Sequence, residues 1–175
     1  MSSRSTINKA LRQLMTEENK VILLGQSIRD PFGGAFKITR GLTKQFDDRI
    51  IDTPISEASM IGVAIGLSMQ SFIPIVEIMF EDFMTLCVDQ IHNIAEKVNS
   101  HQKIKIIIRT THSNNKYYGP SHCQNMDWLI NKIPCVECYS YPKNSTQESI
   151  VSLYTNLIYT VKKPVIIIKE QKDQY

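Results

Sequence analysis

The sequence predicts an α/β fold, a three-layer α/β/α arrangement built on a mostly parallel sheet, and three observations lead there. Short β-branched runs such as Ile104 to Ile108, broken only by Lys105, and Val165 to Ile168 are strongly apolar, as strands covered on both faces are. Between such runs lie stretches long enough for helices, with apolar residues at helical spacing. The two kinds of segment alternate from one end of the chain to the other, the pattern of strand-helix-strand units.

Ile7, Ala10, Leu11, Leu14 and Met15 share one helical face after Ser5, a candidate cap, and Val21 to Leu24 forms a first strand ended by Gly25. A glycine-rich connection, Asp30 to Phe36, leads to a helix-like Leu42 to Phe46 and a strand at Arg49 to Asp52. The next helix opens at Glu57 and reaches Gln70, and a strand from Ile73 to Ile78 follows it. A helix from Asp82 to Asn99 precedes the strand Ile104 to Ile108, after which a polar loop passes through Tyr118 to a short helix around Trp128. Cys135 to Cys138 reads as a strand, Thr146 to Thr160 as an amphipathic helix, and Val165 to Ile168 as the last strand.

A chain of 175 residues with no repeats, linkers or low-complexity tracts is read as one domain, 1–175. Its hydrophobic share of 42%, charged share of 21% and dispersed net charge of +3 argue against nucleic acid as a partner. The N-terminus lacks an apolar signal region and no run is long enough to cross a bilayer, so no membrane association and a cytoplasmic location are expected. Four cysteines, Cys87, Cys123, Cys135 and Cys138, do not make a secreted disulfide framework. Cys135 and Cys138, three apart on a strand, would face opposite sides and could not share a metal, and no metal site is predicted.

Glu57 stands at a helix start, and the strand Ile73 to Ile78 delivers Met79, Phe80, Glu81, Asp82 and Phe83 to the same carboxyl edge of the sheet, where ligands bind in such folds. The plain alternatives are a helix capped by Ser56, with Glu57 favoured by the helix dipole, and aromatic residues packed into the core. The Glu57 helix is apolar nearly all round, and Ala58, Gly62 and Gly66 form a row of small residues suited to close packing within the chain or against a partner. His122 lies in a turn-rich segment after a strand and could stabilise an oxyanion or carry a proton. His92, His101 and His112 are read as surface or interface residues.

Five ordered segments carry a resemblance: Gly33 to Thr39, Asp52 to Glu57, Pro74 to Phe83, Asp89 to Ile91 and Gly119 to His122. In them the chain resembles, nearly end to end, the pyrimidine-binding domain of the transketolase superfamily, above all the beta subunits of the first components of 2-oxo acid dehydrogenases. The resemblance implies the thiamine diphosphate-binding fold and a cofactor shared with a partner chain. It makes Glu57 the carboxylate that hydrogen-bonds the aminopyrimidine ring and favours its imino tautomer, so that the cofactor acts as its own base. It makes Phe83 the ring that stacks on the aminopyrimidine, with Ile55 and Met79 lining that pocket, and His122 the histidine facing substrate.

Departures from the family pattern are informative too. Gln26 stands where the family commonly has glutamate, and Val161 and Lys163 stand where members that bind a structural monovalent cation have oxygen side chains, so that ion is not predicted. The Gly-Asp-Gly and later Asn-Asn that hold Mg2+ and the diphosphate are missing, and Asn114-Asn115 does not supply them. The resemblance therefore implies an alpha-type subunit that carries the diphosphate and Mg2+, and a hetero-tetramer. Family beta subunits continue into a C-terminal domain, whereas this sequence ends at Tyr175, which predicts a chain without it. The implied activity is that of a two-chain enzyme acting on a 2-oxo acid, with lipoamide as one acceptor. The alternatives are a split transketolase-like or carboligating enzyme acting on a ketose, and a binding module without turnover.

Overall fold

The computed structural model describes residues 3–112, 118–141 and 144–171. The element order is α1 (Ser3–Glu17), β1 (Val21–Gln26), β2 (Ile50–Thr53), α2 (Glu57–Met69) and β3 (Ile73–Ile78). There follow α3 (Glu96–His101), β4 (Ile106–His112), α4 (Asp127–Ile130), β5 (Val136–Ser140), α5 (Gln147–Thr160) and β6 (Val165–Gln171). The six strands form one sheet in the order β2-β1-β3-β4-β6-β5, and every neighbouring pair is parallel.

Alternation along the strands divides the interior into two apolar layers. Leu23, Ile75, Ile107, Ile166 and Ile168 face α1 and α5. Leu24, Val76, Ile78, Ile106, Ile108, Val165 and Ile167 face α2, the helical run after β3, and α4. The apolar runs of the central strands follow from this, because neither of their faces meets water, whereas the edge strand β2 exposes Ile51 and Asp52. The fold class is the one the sequence predicts.

Several boundaries differ from the sequence expectation for identifiable reasons. The first helix begins at Ser3, so Ser5 lies within its first turn and is not a cap. The expected helix Leu42 to Phe46 is a series of turns. Gly41 takes φ 82° before it, while Asn8 donates to the Ile38 carbonyl at 2.5 Å and Arg12 Nη2 to the Gly41 carbonyl at 3.3 Å, so α1 rather than a local helix satisfies this backbone. The strand expected at Arg49 to Asp52 is Ile50–Thr53, after a short 3-10 turn at Asp47–Arg49. The strands expected at Ile104 to Ile108 and Val165 to Ile168 run on to His112 and Gln171, because the polar residues beyond the apolar runs pair in register. Thr146 caps α5, its hydroxyl accepting from Ser149 N at 3.2 Å.

The single helix expected from Asp82 to Asn99 is three geometries in succession: a 3-10 segment at Glu81–Cys87, a π segment at Gln90–Ala95 and α3. The Ile91 carbonyl accepts from Glu96 N, five residues on, and from Cys135 Sγ at 3.4 Å, so an intruding side chain accompanies the widened turn. Cys135 precedes β5 and is not part of it, and both Cys135 and Cys138 pack against the α2 side of the sheet. The opposite-face argument for these cysteines therefore fails. Burial pushes both thiols up, Cys138 to about 11. Among the described residues, no helix is long and apolar enough to cross a membrane.

Leu11 is completely buried between α1 and the sheet. Leu11→Ala is expected to lower stability by about 2–5 kcal/mol, read as a shift in denaturation midpoint with an unchanged denaturant slope.

Candidate functional site

The carboxyl ends of β1, β3 and β4 meet beneath the glycine-rich connection. Gly33 and Gly34 have φ 75° and 77°, and a Cβ on Gly34 would lie 2.7 Å from Glu77 Oε1, so these glycines let the connection lie directly over β3. Below it, Glu77 and Arg109 are register partners on neighbouring strands. Arg109 is 2% exposed and donates through Nη1 to Glu77 Oε2 at 3.1 Å, and through Nε and Nη2 to the two oxygens of Glu170 at 2.9 Å each. Burial opposes the guanidinium charge, but Glu170, Tyr154 and Glu77 outweigh it and hold Arg109 well above its ordinary value. Burial raises Glu77 in spite of Arg109, with Glu170 adding to the rise.

Glu57 opens α2 at this edge. Ser56 occupies the cap position but makes no capping bond, its hydroxyl donating to the Pro54 carbonyl at 3.3 Å, so the expectation of a serine cap is not met. Glu57, Met60, Gln26, Glu77, Ile78 and Met79 line a narrow cleft between α2 and the ends of β1 and β3. The Glu57 charge is felt at Cys87, where burial and then that charge push the thiol up to about 12. Cys87 belongs to the same 3-10 segment as Phe83, so Glu57 and Phe83 flank one corner of the molecule.

The aromatic residues there form a cluster. Phe80 packs edge-on against Phe83 at 5.6 Å, and the His122 ring lies edge-on to Phe80 at 4.7 Å and to Phe83 at 5.4 Å. Ser121 Oγ is 2.8 Å from His122 Nδ1. Of the predicted residues, the structure thus brings Glu57 and Met79 to one cleft, and Phe83 and His122 together beside it. Ile55 is 73% exposed and outside the cleft lining. A carboxylate at a helix start beside thioether and aromatic side chains suits a flat heterocycle with a hydrogen-bonding ring nitrogen. Among the described residues, no group of three or more His, Cys, Asp or Glu could hold a metal ion. Asn114-Asn115 lies outside the described residues.

The small-residue row on α2 faces outward at Ala58 and Gly66, and a Cβ on Gly66 would meet nothing within 4 Å. Beside it Val63 and Met69 are 50% and 37% exposed. The carbonyls of Val161 and Lys163, before Pro164, both accept from the Lys105 ammonium.

Two features escaped sequence reasoning. His112 is no surface residue: it ends β4 with its side chain 11% exposed and Nδ1 3.8 Å from Glu81 Oε2. Glu77, Arg109 and Lys169 are charges set in strands buried on both faces, and a charge in such a strand was the available signal.

The family described as transketolase, pyrimidine binding domain, matches residues 1–172. The beta subunit of acetoin:2,6-dichlorophenolindophenol oxidoreductase from Cupriavidus necator is 34% identical over 81% of this chain and 46% of its own length. The pyruvate dehydrogenase E1 component beta subunit of Leifsonia xyli is 39% identical over 61% of this chain and 33% of its own, and the 2-oxoisovalerate dehydrogenase beta subunit of Bacillus subtilis is 32% identical over 77% and 42%. The chain thus spans less than half the length of these relatives. A split gene transketolase, described as an inactive beta4 tetramer, shares the fold with a TM-score of 0.75 at 21% identity, over 98% of this chain and 51% of that one.

The raised Glu77 carboxyl contributes stability that is fully present below its ordinary value of 4.5 and lost as pH rises through the higher folded value. Glu77→Gln keeps an acceptor for Arg109 without the buried charge, so its denaturation midpoint is expected to fall less than that of the parent as pH is raised above 4.5. Parallel midpoint-against-pH curves for the two proteins would contradict this.

Proposed function

The chain belongs to the transketolase pyrimidine-binding domain family, and from that premise we propose that residues 1–175 act as one pyrimidine-binding unit of a two-chain, thiamine diphosphate-dependent enzyme acting on a 2-oxo acid. The observation that carries the proposal is the pairing of Glu57 and Met79 across one cleft, with Phe83 and His122 beside it, at the carboxyl edge of a parallel sheet. The names of the pyruvate and 2-oxoisovalerate dehydrogenase relatives favour a 2-oxo acid donor.

Thiamine diphosphate, when bound, supplies a nucleophilic carbon for attack on the donor carbonyl. Glu57 holds the proton shared with the aminopyrimidine ring nitrogen. Phe83 provides the flat apolar face that fixes the ring, Met79 fills the cleft beside it, and Ile55 completes the pocket once the partner covers it. His122, with Nδ1 engaged by Ser121, presents Nε2 to the oxygen of the donor.

The diphosphate and Mg2+ would be held by an alpha-type subunit, since the Gly-Asp-Gly and Asn-Asn pattern with which the family holds them is missing from this sequence. The exposed apolar residues Ile55, Val63, Met69, Leu86 and Ile94 along this side are the surface that partner would cover, and two copies of each chain would give a hetero-tetramer. A second reading, a subunit of a split transketolase-like or carboligating enzyme acting on a ketose, is favoured by the fold neighbour that itself comes from a split transketolase gene.

The test is to co-purify the chain with an alpha-type partner, add thiamine diphosphate and magnesium, and screen 2-oxo acids and ketose phosphates. Glu57→Ala is expected to lower turnover by about a hundredfold or more. Phe83→Ala is expected to weaken cofactor binding by roughly tenfold, the loss of one ring contact. Full turnover by Glu57→Ala in that assembly would overturn the proposal.

A further inference from the structure

Glu81 and Asp82 are adjacent acids, 0% and 8% exposed, in the turn that leads into Phe83. Carboxylates are not buried without partners. Glu81 Oε1 accepts from the backbone N–H of Met126 at 2.9 Å, and both oxygens of Asp82 accept from that of Gln124 at 3.3 Å. The two acids thus hold alternate amides of the strand of chain that returns from His122. Lys169, 7% exposed on β6, supplies the opposing charge: its ammonium lies 2.8 Å from Glu81 Oε1 and 2.6 Å from Asp127 Oδ1, and it donates to Asn125 Oδ1 at 3.3 Å. Burial works against that ammonium, yet the bonds to Asp127 and Glu81 raise its pKa, and the same bond lowers that of Asp127.

We propose that Glu81 and Asp82 are positioning residues, a two-carboxylate clamp on residues 124–126 that holds His122 edge-on against Phe80 and Phe83. The inference deepens the functional reading and rests on it for the part His122 plays beside cofactor and donor. Among the described residues of the loop carrying His122, His122 N donates to the Gly119 carbonyl at 3.3 Å, at the weak end of the range, the Tyr118 ring lies 6.1 Å from that of Phe80, and Ser121 and Gln124 are exposed. By contrast, the element bearing Phe83 is packed into the core through Met84 and Cys87. The buried acids link the fixed aromatic platform to the chain that carries the imidazole. Because amide N–H groups and not side chains are gripped, the link sets the course of the backbone and through it the place of the ring. Lys169 sets a cation against Glu81 in the interior.

The test reads His122 directly. In the folded chain, the ring protons of His122, assigned with His122→Gln, are expected to be displaced by the ring currents of Phe80 and Phe83. Asp82→Ala should move them to the positions of a free imidazole and speed exchange of the Gln124 and Met126 amides by about tenfold, with exchange in β1, β3 and β4 unchanged. Asp82→Asn retains an acceptor oxygen and should restore both signals. Glu81→Gln is the second probe, expected to shift the same resonances less because one acceptor remains for Met126 N. In the reconstituted enzyme, Asp82→Ala should lower kcat while thiamine diphosphate affinity stays within about twofold, since a positioning defect acts on the transition state and not on the bound cofactor. Unmoved His122 signals in a folded Asp82→Ala chain would overturn the clamp, as would equal loss in Asp82→Asn and Asp82→Ala. A chain whose His122 responds as described but which binds no thiamine diphosphate with its partner would leave the clamp standing and overturn the cofactor reading.

Discussion

Arg109 is a permanent cation in the middle of a sheet that water does not reach, and much of the carboxyl edge is arranged to make it tolerable. Glu170 grips it with both oxygens, Glu77 comes from the neighbouring strand, and Tyr141 and Tyr154 close the far side, with a 3.0 Å bond between their hydroxyls. Burial pushes both phenols up, so they remain neutral hydroxyls there, Tyr141 donating to Tyr154. Removing one member of such a set typically costs about 3–5 kcal/mol, because the remaining charge is left bare. The glycine-rich connection can lie over β3 only because Gly34 leaves room above the Glu77 carboxylate. One buried cation thereby fixes three strand ends and the loop that roofs them.

The sheet carries a second ion network on its other face. Glu77, Arg109 and Glu170 share the side of Ile75, Ile107 and Ile168, toward α1 and α5, while Lys169 shares the side of Val165 and Ile167, toward α4, where it meets Glu81 and Asp127. The first network braces the end of β3 from beneath, and the second ties the segment after it to the loop bearing His122. Between them stand Met79, Phe80 and Phe83. The apolar and aromatic surface at this corner is therefore framed on both sides by ion networks, each a buried cation held between two carboxylates, which braces it as a wall for a planar ring.

Much of this was legible in the sequence because parallel strands covered on both faces leave an unmistakable apolar trace. The run Ile73 to Ile78 is the observed β3 to the residue, and Glu57 does open α2. The errors share a cause. Loss of apolarity ends β4 at Ile108 and β6 at Ile168 in the sequence, yet Arg109, Thr111, Lys169 and Glu170 continue the ladder, their polar side-chain atoms meeting partners from other elements. His112 reads as a surface or interface residue because nothing local announces that Glu81, thirty-one positions earlier in the chain, stands beside it. Leu42 to Phe46 shows helical spacing, but side chains of α1 occupy the carbonyls just before it. The candidate site was visible as a set of ordered segments. Its supporting charges were not, since each is explained only by residues remote in sequence.

Lys169 and Glu170 are adjacent on β6, and the two-residue pleat sends one to each network. A one-residue insertion or deletion upstream in that strand would exchange them, setting a glutamate against Glu81 on one face and a lysine against Arg109 on the other. Both substitutions bring like charges together in the dry interior. β6 should therefore tolerate changes of side chain far more readily than changes of length, and descendants of this chain would be expected to keep the spacing from Pro164 to Glu170 even where the residues between them drift.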